Sequence, residues 1–271
     1  MKITKGKIIL AVIVIYFIVF AVINVNKEKD TNELILDTVT YVTDGKVNPD
    51  NEGKLVIVSG KVGYDSLVTF MELDENFGSV KISRKVEDYL KVESDDEEEE
   101  DSYEWVEREE PLSDANGDYL KTIVSEERVS TNVKVGEFDL DKQGIKDLPL
   151  DYYAKQEQVG DLITTGIDYS RDPHEENLKV GDMKITYKYF NLEKNPYVSV
   201  LAVQKGNSFE PYKVDKKNEV YQVFMGKVEN KEALTKELKT NVKRTIRGKS
   251  LFIIMILGIG IFFIVDNRKK K

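Results

Sequence analysis

His174 is the sole histidine of the chain and the only side chain whose ordinary pKa suits proton exchange near neutrality. It lies in SRDPHEEN (170–177), a charged, turn-like run. No Gly-x-Ser-x-Gly elbow accompanies it, so the sequence reads as a surface loop and not as a catalytic triad. With one histidine and no cysteine, a zinc site is short of ligands, and disulfides and thiolate nucleophiles are excluded. Gly248-Lys249-Ser250 has the ending of a phosphate-binding loop, but Lys243 stands where that motif needs its first glycine.

Carboxylates are plentiful and unselective. The run ESDDEEEEDSYEWVEREE (93–110) could collect calcium through oxygen ligands, yet it lacks the ligand spacing and the sharp-turn glycine of a calcium loop. It reads as a solvated loop or as charge decorating a strand edge against aggregation. Asp114-Ala115-Asn116-Gly117-Asp118 resembles part of a calcium loop without the distal glutamate, and Asn116-Gly117 reads as a hairpin turn between strands. No pair among 49 acidic residues is marked out for glycoside hydrolysis. The sequence therefore nominates no catalytic, cofactor-binding or metal-binding residue, and the expectation is a protein that is not an enzyme.

The elements that frame these residues begin with two apolar runs. Residues 8–25, IILAVIVIYFIVFAVINV, carry no charge, and as a helix they would rise about 27 Å, close to the depth of a bilayer core. Residues 251–265, LFIIMILGIGIFFIV, are also uncharged and end in Arg268, Lys269, Lys270 and Lys271. The first run follows Lys2, Lys5 and Lys7 but lacks a small-residue cleavage site, so it is expected to be an uncleaved signal anchor. Gly258 and Gly260 would permit close helix contact in the second, although not at small-xxx-small spacing.

The expected division is a cytoplasmic N-terminus (1–7), a transmembrane helix (8–26) and an extracytoplasmic β-rich domain (27–228) with an acidic loop (93–110). A basic juxtamembrane helix (229–249), a second transmembrane helix (250–266) and a basic cytoplasmic tail (267–271) follow. Both termini are placed in the cytoplasm by the slight excess of lysine before the first run, which makes this a multi-pass protein of the cell membrane. The bilayer is thus an expected partner. Nucleic acid is not, because a net charge of −9 offers no basic face for phosphates.

Between the runs the pattern is strand-like. LILDTVTYV (34–42), KLVIVSGKV (54–62), SLVTFMEL (66–73) and SVKISRKVEDYLKV (79–92) are rich in β-branched residues and bounded by turn chemistry. In the last of these Val80, Ile82 and Val86 alternate, while Arg84 intrudes at the same spacing, so a bend or change of face is expected there. DYLKTIV (118–124), NVKVGEFDL (132–140), DLITTGIDY (161–169), MKITYKYF (183–190), YVSVLAVQ (197–204), FEPYKV (209–214) and EVYQVFMG (219–226) continue the series. Gly206-Asn207 marks a hairpin, and Pro211 an edge or bulge. About ten short strands predict a β-rich α+β domain, an antiparallel sandwich or open barrel. One helix is expected after it: Asn230 caps a segment whose Leu234, Leu238, Val242 and Ile246 form a stripe, read as a stalk packed on the domain.

NPDNEGKLVIVSGKV (48–62) resembles the Asn-Glu-Gly-Lys-Leu-Val signature of the transmembrane protein 43 (LUMA) family. VKISRKVEDYLKVE (80–93), VKVGEFDL (133–140), VGDMKITYKYF (180–190) and VSVLAVQKGNSFEPY (198–212) follow that family's pattern in the same order. The resemblance implies a non-catalytic membrane protein with a large extracytoplasmic or lumenal domain, which self-associates or organises its membrane. Two departures stand out. The family has several spans after the domain where this chain has one run, and its tryptophan-rich Gly-His-x-Asn-Pro segment is missing here, Trp105 and His174 being the only residues of their types. The wealth of lysine and isoleucine is that expected of a bacterial member. An extracytoplasmic module that senses or binds a ligand or ion is the alternative expectation.

Overall fold

The computed structural model describes residues 23, 26–73, 77–92, 102–113, 115–150, 152–154, 179–216 and 218–240. Most of the two apolar runs lies outside these, as do His174, residues 93–101, 161–169 and 248–250, Gly258 and Gly260. Among the described residues no helix is long and apolar enough to cross a membrane.

Two strands organise the larger sheet. β2 (Leu55–Tyr64) pairs antiparallel with β10 (Tyr197–Lys205), from Leu55 opposite Val203 to Lys61 opposite Tyr197. The outer edge of β2 takes β1 (Thr40–Val42) in parallel and then β6 (Val133–Val135) antiparallel. The outer edge of β10 takes β14 (Gln222–Met225) and then β11 (Ser208–Glu210). β7 (Phe138–Leu140) pairs with β6, and the Asp139 amide donates to Asn207 O at 2.7 Å beside β11. The sheet thus curls until its two margins meet, and the rings of Phe138 and Phe209 stack 5.0 Å apart across the seam.

Sequence dictates why this pair is central. Along LVIVSG and VSVLAV apolar residues do not alternate with polar ones, as suits strands buried on both faces. Val56, Val58, Val198, Val200 and Ala202 point into the curl with Val135, Phe138 and Phe209. Leu55, Ile57 and Leu201 point outward under Ile35, Phe224, Leu234 and Leu238. Each Val, Leu, Ile or Phe among them contributes roughly 1.5–3 kcal/mol on full burial. Ile35 belongs to a helix over residues 26–38 (α1), and Leu234 and Leu238 to a helix over residues 231–240 (α4). Asn230 caps α4 as its sequence predicts, its Oδ1 accepting the Ala233 amide at 2.9 Å. Leu234 and Leu238 pack on the domain; Val242 and Ile246 lie outside the described residues.

The second sheet is built on β3 (Lys81–Val92). One edge takes β9 (Met183–Tyr189), which is followed by β8 (Tyr152–Tyr153); the other takes β5 (Glu126–Val129) and then β4 (Ser102–Glu107). Short helices α2 (Tyr119–Thr122) and α3 (Lys142–Lys146) and a ribbon of β12 (Tyr212–Lys213) with β13 (Glu219–Val220) complete the elements named here. The fold is β-rich and mainly antiparallel, as the sequence predicts, and its larger sheet curls into a half-barrel, nearer the open-barrel alternative than the sandwich.

Several expectations are corrected. LILDTVTYV is helical to Thr38 and extended only from Thr40, because Ile35 packs inward from a helical turn. SLVTFMEL is irregular, tied to Ser79 by one bridge at Val68. DYLKTIV contains α2, nucleated by Asp118, whose Oδ1 accepts the Leu120 amide at 3.1 Å. Asn116-Gly117 does turn, with φ of 44° and 83°, but it leads into α2; β4 and β5 both pair with β3 and not with one another. Arg84 stays on the face of Ile82 and Val86, with no change of face. Gly206-Asn207 makes the predicted hairpin between β10 and β11.

Three glycines allow β1 and β6 to share one edge of β2. Gly60 stands where the partner changes, and Gly136 N–H donates to Lys61 O at 3.0 Å while Glu137 N–H donates to Gly45 O at 2.8 Å. A Cβ on Gly60 would lie 2.5 Å from Gly136 N and 2.8 Å from Val135 C, both backbone atoms with no freedom to retreat. Gly60→Ala is expected to cost at least the upper end of the ~1–3 kcal/mol typical of overpacking, read as a lowered urea midpoint of the detergent-solubilised chain. Gly53→Ala, with open space around it but φ of 73°, should cost only the smaller strain of a left-handed residue.

Candidate functional site

The second sheet carries the unusual chemistry, and its two faces differ. On the inner face, strand alternation brings Ile82, Arg84, Val86 and Asp88 of β3 beside Ile185 and Tyr187 of β9. Two buried arginines sit in this apolar setting, and each is fully engaged. Arg84 Nη1 donates to Glu72 Oε1 at 2.5 Å and its Nε to Val124 O at 2.9 Å, with Glu126 at 3.5 Å. Arg108 forks onto Asp88, with Nε to Oδ2 at 2.8 Å and a second bond from Nη2 to Oδ1, and also donates to Leu120 O at 2.7 Å. Such forks match carboxylate geometry.

Glu72 is wholly buried and also accepts from the Tyr119 hydroxyl at 2.7 Å. Burial and that contact push the Tyr119 hydroxyl up to about 12. The Phe70 ring lies between two guanidiniums, Arg84 at 4.5 Å and Arg128 at 4.3 Å. Arg128 in turn donates to Glu126 at 2.7 Å, which holds that carboxyl below the usual range. The cluster staples the irregular segment 65–73 and α2 to the strands.

On the opposite face Lys184 and Lys188 of β9 lie over aromatic rings, Trp105 at 4.6 Å and Tyr153 at 5.0 Å. Tyr89 packs between Tyr103 and Trp105, with ring centroids 6.2 and 5.3 Å away. Glu87 accepts from Lys85 at 2.7 Å and pairs with Lys184 at 3.0 Å. Burial alone would raise the Glu87 carboxyl, but the two ammoniums outweigh it and hold it low. Lys85 is correspondingly raised by the Glu87 hydrogen bond. At the far end Lys81 donates to Lys146 O and Leu148 O, closing the C-terminus of α3 against the sheet. Tyr103 is exposed and Trp105 half-buried, so one end of this face offers a row of rings beside lysines.

These groups are poised to keep charge. Glu87 and Glu126 are held low and Lys85 high, away from the neutral range in which a general acid or base works best.

Of the sequence-singled chemistry, the end of the acidic run reaches this sheet through Tyr103, Trp105 and Arg108. Asp118 serves as a helix cap, Ser102–Glu107 of the acidic run forms the edge strand β4, Arg108 pairs with Asp88, and residues 93–101 of that run lie outside the described residues. Sequence reading missed the Glu72–Arg84–Glu126–Arg128 cluster. Its signal was Arg84 at an apolar register position, where a charge requires a buried partner.

A family model described as transmembrane protein 43 matches residues 100–266. A rat protein named transmembrane protein 43 is 25% identical over 233 residues, covering 73% of this chain and 57% of its own length. The chain thus spans little more than half of that relative. No solved structure matches it.

Removing one member of the buried pair should cost ~3–5 kcal/mol, because the other charge is left without compensation; Glu72→Leu with Arg84→Met should cost clearly less than either single alanine change in urea unfolding. Stability should also fall at both ends of the pH scale. Glu87 and Glu126, lowered in the fold, contribute above the ordinary carboxylate range and lose that contribution as pH falls through their lowered pKa values. Tyr119, raised in the fold, contributes below about pH 10 and loses it as pH rises toward about 12. Tyr119→Phe should flatten that alkaline limb in melting curves.

Proposed function

Because the chain belongs to the transmembrane protein 43 family, we propose that it is a non-enzymatic integral membrane protein whose β-rich domain serves as a scaffold, contacting further copies of itself or other membrane proteins. In this reading residues 8–26 and 250–266 cross the cell membrane, both termini are cytoplasmic and the domain is extracytoplasmic. The single observation that carries it is the state of the polar groups on the second sheet. Glu87, Lys85 and Lys184 are locked together on paired strands, so the outer face they form is preorganised for contact and unsuited to proton transfer.

A ligand-binding role is the second reading, favoured by the row of exposed Tyr103 and half-buried Tyr89 and Trp105 beside Lys184. The two diverge in a direct test. Amine-reactive cross-linking of native membranes should yield adducts heavier than the monomer, weakened several-fold by Tyr103→Ala with Lys188→Glu. Monomer alone, with a melting temperature raised by a glycan, lipid or ion, would reject the scaffold and favour ligand binding. Topology is tested on this cysteine-free chain by single cysteines at Lys29 and Asp95: an impermeant thiol reagent should label both in intact cells. Labelling of neither would reverse the orientation.

A further inference from the structure

The helices that lead out of the domain toward the two apolar runs are part of its core. α1 ends at residue 38 and enters β1 directly, while α4 starts at residue 231, after the turn that follows β14. Ile35 of α1 and Leu234 and Leu238 of α4 are almost completely buried, in one cluster with Leu55, Ile57 and Leu201. The last turn of α1 meets the first turn of α4, where Lys231 Nζ lies 3.0 Å from Asp37 Oδ1. That exposed ion pair adds little energy, and the shared apolar cover supplies the rest.

The approach to α4 is fixed as firmly. Ser59 and Ser199 face each other on β2 and β10 at positions where both strands are buried. The Val228 amide donates to Ser199 Oγ at 2.9 Å, Ser59 Oγ donates to Val228 O at 3.0 Å, and Ser199 Oγ donates to Gly226 O at 2.8 Å. Across the helices' landing site the buried Tyr41 hydroxyl has no hydrogen-bond partner among the described residues, a local cost carried by the packing around it.

We propose that α1 and α4 form one two-helix strap over the outer face of β2 and β10, so that the two ends of the domain are released together and never singly. Lifting α1 uncovers Leu234 and Leu238; lifting α4 uncovers Ile35. A displacement of either end is thereby passed to the other. This coupling concerns the helices themselves and is independent of whether the apolar runs span a bilayer or which partner the second sheet meets.

The test is hydrogen exchange on the full chain in nanodiscs, with reciprocal variants. Ile35→Ala should accelerate exchange about tenfold or more in residues 231–240 as well as in α1, and Leu238→Ala should do the same in α1, while β3 and β9 stay unchanged. Acceleration confined to the helix carrying the substitution would overturn the strap. Should Ile35→Ala loosen β3 and β9 too, a short bis-maleimide bridge between Asp37→Cys and Lys231→Cys supplies the reading. Slower exchange in both helices of a monomeric product supports the strap. Bridges formed only between chains, or protection of one helix alone, contradict it.

Discussion

Burial of the β2–β10 pair on both faces is the constraint from which the rest follows. A strand pair that is apolar on each side must be covered twice. The curl of its own sheet supplies one cover, through β6, β7 and β11, and α1 and α4 supply the other. The first requirement forces the sheet to bend back on itself, and three glycines at the β1–β6 junction permit the close backbone approach that the bend demands. The second requirement recruits the two segments nearest the apolar runs. The helices nearest the two apolar runs are thus those that complete the core.

The second sheet is organised on another principle. Its inner face is too polar to be held by apolar burial alone, since Arg84, Glu72, Asp88 and Arg108 are all buried. Desolvating these charges is costly, and bidentate pairing, backbone carbonyl acceptors and the Phe70 ring offset that cost. Such a network favours one arrangement of segment 65–73, α2 and the strands over its competitors. By fixing the sheet from within, the network also holds the opposite face in one arrangement, and a contact surface gains affinity when little has to be ordered on binding.

Much of this was legible in the residues themselves. LVIVSG and VSVLAV announce strands buried on both sides, MKITYKY alternates faithfully, and Asn230 with Leu234 and Leu238 gives α4 its start and its buried stripe. LILDTV has the composition of a strand yet is largely helical, because β-branched residues favour strands only weakly and tertiary packing of Ile35 outweighs that preference. SLVTFMEL has strand composition but no continuous ladder partner; its order comes from Glu72 and Phe70, whose partners lie on β3, α2 and β5. The candidate face was not legible at all. It depends on a register that sets Trp105 against Tyr89 and Lys184 against Glu87, and spacing within one strand does not reveal pairing between strands.

The central claim is that the two-sided β2–β10 pair is the last part of the domain to come apart. Native-state hydrogen exchange of the unmodified chain across a denaturant series measures this directly. The amides of Val56 to Ser59 and Val198 to Ala202 should exchange only through global unfolding, with a free energy equal to that of the whole domain. Exchange there as ready as in β4 or β8 would show that the pair is not the foundation of the fold.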